Sequence, residues 1–251
     1  MSSFARFDSI KRPVACFCAL VAITVALSPQ RLFGGVPLVL NSYGWDKVYR
    51  LDSSSVSGIA TLLPPVNIAS TAFLHATDAA GDGRVYGVAG SNLWRIDVST
   101  PIANWQKIVA LDDSGSDGLA WSPLGQLFVA KLNVVRQVDP VTGVTVPGTT
   151  ISLSNGSPLN MEGIDFDAQG TLYAADPSHL YTVNRTTGAA SLLYTAPDSS
   201  HGVFTDIDFG SDGLIRALTF SNYLLTYDPK TNTGAWSPWK FTYNGNSFSA
   251  S

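Results

Sequence analysis

Apolar and polar residues alternate along this chain in short runs broken by glycine, and the runs recur. Asp-Gly-Arg-Val-Tyr at 82–86, Leu-Gly-Gln-Leu-Phe at 124–128, Gln-Gly-Thr-Leu-Tyr at 169–173 and Asp-Gly-Leu-Ile-Arg at 212–216 align on Gly83, Gly125, Gly170 and Gly213, spaced 42, 45 and 43 apart. A second apolar run follows each glycine and ends on Asp97, Asp139, Asn184 or Asp228. An earlier copy ends on Asp52, 45 residues before Asp97, which makes five copies at a mean spacing of about 44. Periods of about 20 to 50 residues mark solenoids and propellers, so the repeat decides the fold ahead of any local reading.

Each repeat resolves into four short strands. In the fourth copy, 163–166 alternates as a strand, 167–170 turns, 171–175 returns, 180–184 runs out again, 185–188 turns and 189–194 closes the unit. The glycines suit hairpin turns that need positive φ, and Asp139-Pro140 and Asp228-Pro229 pre-set turns of type I. The expected architecture is all-β: a β-propeller of about five four-stranded blades, with helix almost absent after residue 30. Four-stranded sheets expose two apolar faces, so Trp121, Phe166 and Phe209, each four residues before its turn glycine, are expected to pack between blades. Five blades need about 220 residues. The segment 246–251 begins a sixth inner strand, expected to complete the first blade and so close the ring through the two termini, which leaves no open sheet edge. A longer propeller, of which this chain is one part, is the alternative.

Composition sharpens the picture. Of 251 residues 14% are charged and 45% apolar, with 22 Gly and 14 Pro, and Glu162 is the one Glu against 18 Asp. Asp favours turns and caps over helix interiors, which agrees with strands and hairpins. Net charge is -4 and no basic run follows residue 12, so a nucleic-acid partner is not expected.

Arg6, Lys11 and Arg12 precede an uncharged run at 14–27, too short for a bilayer span of roughly 20 residues and suited to the apolar core of an export signal. Residues 1–26 are therefore expected to be a cleaved signal peptide, with the cut as late as residue 35, and 36–251 a single domain, secreted or periplasmic and not membrane-spanning. An uncleaved anchor is the alternative. Cys16 and Cys18 both lie in this run, so the mature chain would carry no cysteine chemistry.

Gly163-Ile164-Asp165-Phe166, Gly170-Thr171-Leu172-Tyr173, and Leu180-Tyr181-Thr182-Val183-Asn184 with Thr187-Gly188 resemble the blades of secreted bacterial propeller-repeat families of largely unknown function. The resemblance spans about 46–240 and implies the fold rather than an activity. Asn184 departs from the usual Asp, and Arg216 stands where those blades carry an aromatic.

Propeller function concentrates at a channel mouth, where loops from every blade converge. Eight residues before the turn glycines stand His75, Asp117, Glu162 and Thr205, with Asp206 one step on, and strand two returns to the same face with Asp176 and His179 among others. The loop at 198–201 adds His201. These residues form the expected ligand site for a small molecule, glycan or protein, and Glu162, Asp117 and Asp206 could hold a divalent cation such as calcium. Asp78-Ala79-Ala80-Gly81-Asp82-Gly83 looks like a calcium loop but has Ser91 where the bidentate Glu belongs, so it reads as a hairpin turn. Neither a nucleophile-elbow, a zinc-protease, a phosphate-loop nor a dinucleotide motif occurs. Two function classes follow: a secreted binding or interaction propeller, or a metal-dependent lactonase or esterase. The second rests on Met161-Glu162-Gly163, which loosely resembles gluconolactonase and regucalcin propellers in placing Glu at the head of an inner strand, although Ile164 stands where those families carry Pro.

Overall fold

The computed structural model describes 84–97, 106–112, 116–198 and 200–237, together with backbone strands before residue 80 and two short strands after residue 240. Five four-stranded antiparallel sheets follow in chain order. The first holds β1 (Ala19–Ile23), β2 (Pro37–Ser42), β3 (Lys47–Asp52) and β4 (Thr61–Leu62). The second holds β5 (Leu74–Ala79), β6 (Arg84–Ala89), β7 (Asn92–Asp97) and β8 (Gln106–Ala110). The third holds β9 (Gly118–Trp121), β10 (Leu127–Lys131), β11 (Val134–Val138) and β12 (Ile151–Ser152). The fourth holds β13 (Gly163–Phe166), β14 (Leu172–Ala175), β15 (His179–Val183) and β16 (Ala190–Thr195). The fifth holds β17 (Phe204–Phe209), β18 (Ile215–Thr219), β19 (Leu224–Asp228) and β20 (Thr233–Trp236). Strands β1, β5, β9, β13 and β17 neighbour one another in a closed circuit, with β1 beside β17. The fold is a β-propeller, and no helix occurs among the described residues.

Closure differs from the expected strand exchange. The innermost place in the first sheet belongs to Ala19–Ile23, while Asn246–Ser247, as β22, pairs with β21 (Thr242–Tyr243). The reason is physical: a short apolar run such as Ala-Leu-Val-Ala-Ile reads equally well as an export-signal core and as a buried strand. The expected cleavage region at 26–35 lies outside the described residues.

The aromatic expectation holds at three joints. Trp121 packs on Tyr86 of the preceding sheet at 4.9 Å between ring centroids, Phe166 on Phe128 at 5.0 Å and Phe209 on Tyr173 at 5.0 Å. Tilted and offset rings at this spacing add to the area they bury. Each joint therefore reuses one strand-one aromatic and one strand-two aromatic, at repeat-equivalent positions. In the fifth sheet Arg216 takes the strand-two place, with its side chain 7% exposed and its guanidinium forked onto the Asp212 carboxylate. That pairing holds Asp212 below the usual carboxylate range.

The third-to-fourth strand turns add a backbone joint. A Cβ on Gly143 would stand 1.9 Å from the Ala110 carbonyl oxygen, and one on Gly188 would stand 2.0 Å from that of Ser152, so each turn backbone lies against the outer strand of the blade before it. Gly143 O and Gly188 O accept from Asp112 N and Ser154 N, both at 3.0 Å. Asn184 Oδ1 accepts from Thr186 N at 2.9 Å and Thr187 N at 3.1 Å, as Asp139 Oδ1 does from Val141 N at 2.8 Å and Thr142 N at 3.3 Å. An acceptor oxygen is all this turn requires, which explains why Asn184 can replace Asp.

Candidate functional site

The heads of the inner strands form the mouth. Gly118 approaches Ile164 so closely that a Cβ would meet Ile164 N at 3.1 Å, and a Cβ on Gly163 would meet Asp206 Oδ1 at 2.5 Å. The glycine of Gly-Ile-Asp-Phe is thus required by the neighbouring blade. Asp206 is buried at 2% exposure against that backbone, in the wall between blades rather than open at the mouth. Asp165 makes the same kind of joint: its Oδ2 accepts from Phe209 N of the next inner strand, and its Oδ1 from Phe166 N at 2.7 Å.

At the strand heads the side chains become chemically distinct. Gly118 pairs with Ala130 and Asp117 N donates to that same Ala130 O at 2.8 Å; Gly163 pairs with Ala175 and Glu162 N donates to that same Ala175 O at 2.8 Å. Two residues opposite one make a β-bulge, with Asp117 and Glu162 as the extra residues. Burial first, then Asp117 and Asp176, push the Glu162 carboxyl above its ordinary value of 4.5. Its Oε1 accepts from Asn160 Nδ2 at 3.3 Å. Asp117 Oδ2 accepts from Leu132 N at 3.2 Å, where Leu132 turns the chain at φ 53°.

Asp176 is the most heavily bonded of these acids. Its Oδ1 accepts from Ser178 N and His179 N, both at 2.8 Å, and Tyr181 Oη donates to its Oδ2 at 2.7 Å. His179 Nδ1 lies 2.9 Å from Oδ1 and 3.0 Å from Oδ2. Asn155 Nδ2 reaches Tyr181 Oη at 3.5 Å, and burial together with Asp176 pushes the Tyr181 hydroxyl far up.

The structure thus brings Asp117, Glu162, Asp176 and His179 to one quarter of the mouth. His201 stands apart: its ring stacks on Trp236 of the outermost strand of its blade at 4.4 Å and meets Tyr223 edge-on at 4.7 Å. His75 lies in β5, where the register shifts between Leu74 and Ala76, and its repeat equivalent Thr205 lies at the same kind of shift between Phe204 and Asp206. Asp117 and Glu162, the repeat equivalents in the two blades between, each share a carbonyl with the glycine that follows, so a bulge at the inner-strand head is common to all four blades. Among the described residues, no three His, Cys, Asp or Glu side chains come together as a group that could hold a metal ion, and the trio Glu162, Asp117 and Asp206 is accordingly divided between mouth and wall. Sequence reasoning missed Tyr181, Asn160 and Asn155. The first reads as an ordinary strand aromatic, and the other two carry only the signal of a polar loop.

No protein-family model matches this chain, and no curated protein matches it. Among solved structures it is similar to the virginiamycin B lyase of Staphylococcus aureus, at 11% identity and a TM-score of 0.47, covering 88% of this chain and 70% of the other. It is also similar to a protein of unknown function from Bacteroides caccae, at 12% identity and a TM-score of 0.49, covering 79% and 71%. These likenesses concern the propeller fold and carry no argument about activity.

Proposed function

We propose that this chain is a secreted binding propeller whose ligand sits at the channel mouth against Glu162, Asp176 and Asp117. The observation that carries the reading is the meeting of three acids at these strand heads: Glu162 N bonds Ala175 O, next in the chain to Asp176, and Asp117 of the neighbouring blade adds to the same field. Three acids facing one solvent-connected opening suit a ligand that supplies positive charge or several hydroxyl donors, such as a cation, an amine or a sugar. Export is supported by the basic, then apolar, then small-residue order of residues 6–26. Cleavage there removes β1, and in this reading the segment 246–251 takes the vacated innermost place in the first sheet.

The test is a thermal-shift titration of the purified protein with calcium chloride, spermidine and a panel of oligosaccharides. A ligand that binds only the native state raises Tm by linkage. At least one probe should raise Tm, and Glu162→Gln, which keeps shape and hydrogen-bonding capacity but removes the anion, should cut that shift. If no probe shifts Tm, or the shift is the same in Glu162→Gln, the mouth is not the binding site. N-terminal sequencing of the product recovered from the culture medium or periplasm should give a start between residues 27 and 36; an intact Met1 on a cytoplasmic product would refute export.

A further inference from the structure

We infer that His179, oriented by Asp176, is a general base that activates water for the hydrolysis of a carboxylic ester or lactone held at the mouth. This rests on the mouth being the binding site and adds a reaction to it. A carboxylate only accepts hydrogen bonds, so the ring nitrogen that faces Asp176, Nδ1, carries a hydrogen, and the free lone pair is on Nε2. The His179 side chain is 35% exposed while that of Asp176 is 15% exposed, so the anchor is sunk and the ring reaches solvent.

The turn at Asp176-Pro177 explains part of this arrangement and not all of it. Its backbone bonds to Ser178 N and His179 N need one carboxylate oxygen. The Tyr181 hydroxyl on the other oxygen, at 2.7 Å, holds the carboxylate plane, and the carboxylate then holds the imidazole. Fixing both tautomer and ring direction through a half-buried acid is what a general base needs and what a turn does not. The nucleophile in this inference is water, activated at the solvent-reaching ring.

In the step, Nε2 takes a proton from water while the water oxygen adds to the carbonyl carbon. The tetrahedral adduct then breaks its bond to the alcohol oxygen, which recovers the proton from Nε2–H. The products are one carboxylic acid and one alcohol, or the opened hydroxy acid from a lactone, and no oxidant or metal is consumed.

The experiment uses the exported protein with δ-valerolactone and p-nitrophenyl butyrate, acid release being followed by pH-stat and solvent oxygen traced with 18O-labelled water. Expected are turnover above buffer and one 18O in the acid product. His179→Gln should lower kcat by about 100-fold or more, the scale of a lost general base. Asp176→Asn should lower it less, and Tyr181→Phe, which keeps the packing, should move kcat with little change in KM. Circular dichroism and Tm establish that each variant folds. No turnover, or turnover untouched by His179→Gln, overturns the inference. If probes still raise Tm in a Glu162-dependent way while nothing is hydrolysed, the binding reading stands and the catalytic one falls; if both vanish, both fall.

Discussion

Two ends of the same blades obey different rules. At the turn end, three successive joints repeat one arrangement, an inner-strand aromatic against a second-strand aromatic of the blade before, at centroid distances within 0.1 Å of 5.0 Å. At the mouth, equivalent positions share a bulge but diverge in chemistry: His75, Asp117, Glu162 and Thr205 stand at the same place in four successive blades. Repetition marks what the ring needs to close, because every joint must bury the same two faces. Divergence marks what closure does not determine, and there the fourth blade keeps Glu162 half-buried in the field of two other acids.

The largest effect should come from breaking the repeated end. Phe166 is 6% exposed and packs on Phe128, with Arg185 stacked 5.1 Å from its centroid. Phe166→Ala should cost about 3–5 kcal/mol, the range for large-to-small aromatic truncation in cores, read as a lower midpoint in urea with an unchanged ligand specificity at the mouth. Next comes the backbone joint. Gly188 has φ 75° and faces Ser152 O, so Gly188→Ala should cost about 2 kcal/mol or more, as a Cβ both strains the turn and pushes the two blades apart. An equal change at Gly170, where φ is 83° and nothing lies within 4 Å of the added atom, should cost only the φ strain, about 1 kcal/mol. If the two substitutions cost the same, blade contact does not explain Gly188.

These two residues also show how far the sequence could be read. The repeat places Phe166 and its equivalents between blades because only one period-44 register puts all three aromatics at the same offset from a turn glycine. It also places Glu162, Asp117 and Asp176 on one face, because strand heads and strand ends share the mouth. The period brings the right segments together, since Asp165 and Phe209 lie 44 residues apart, but not the atoms that meet: that Asp165 reaches Phe209 N, that Gly163 yields to Asp206 and that Tyr181 bonds Asp176 depend on side-chain direction, which the repeat does not fix. Ala19–Ile23 is ambiguous for a different reason, since its apolar run suits an export-signal core and an inner strand equally well.

The mouth should respond to pH in the opposite sense from the turns. Glu162 is held above its ordinary value in the folded chain, so between pH 4.5 and its folded value the native state binds more protons than the unfolded one. Its contribution is present below the unfolded value and is lost as pH rises through the folded one. Asp112 and Asp212 are held below 3.8, by the Thr145 backbone N–H and by Arg216 respectively, so their contribution is present above 3.8 and lost as pH falls through their folded values. A plot of Tm against pH for Glu162→Gln should therefore gain on the wild type as pH rises above 4.5, by about 1 kcal/mol, because the half-buried charge and its repulsion by Asp117 and Asp176 are gone. A constant offset between the two curves would show that the folded chain does not hold the Glu162 carboxyl up.

The smallest effect should come from exchanging a part that the repeated end treats as interchangeable. Asn184 is exposed and offers Oδ1 to Thr186 N and Thr187 N, as Asp139 offers its own Oδ1 one blade earlier. Asn184→Asp keeps that oxygen in place and adds a charge in solvent, so its effect should stay within about 0.5 kcal/mol. Asn184→Ala removes the acceptor from two backbone donors at once and should cost about 1 kcal/mol, the net worth of an exposed side-chain hydrogen bond to backbone. Chemical unfolding of both variants separates these outcomes. If Asp is as costly as Ala, the amide donor rather than the acceptor oxygen is what this turn uses, and the equivalence of the third and fourth blades fails at this position.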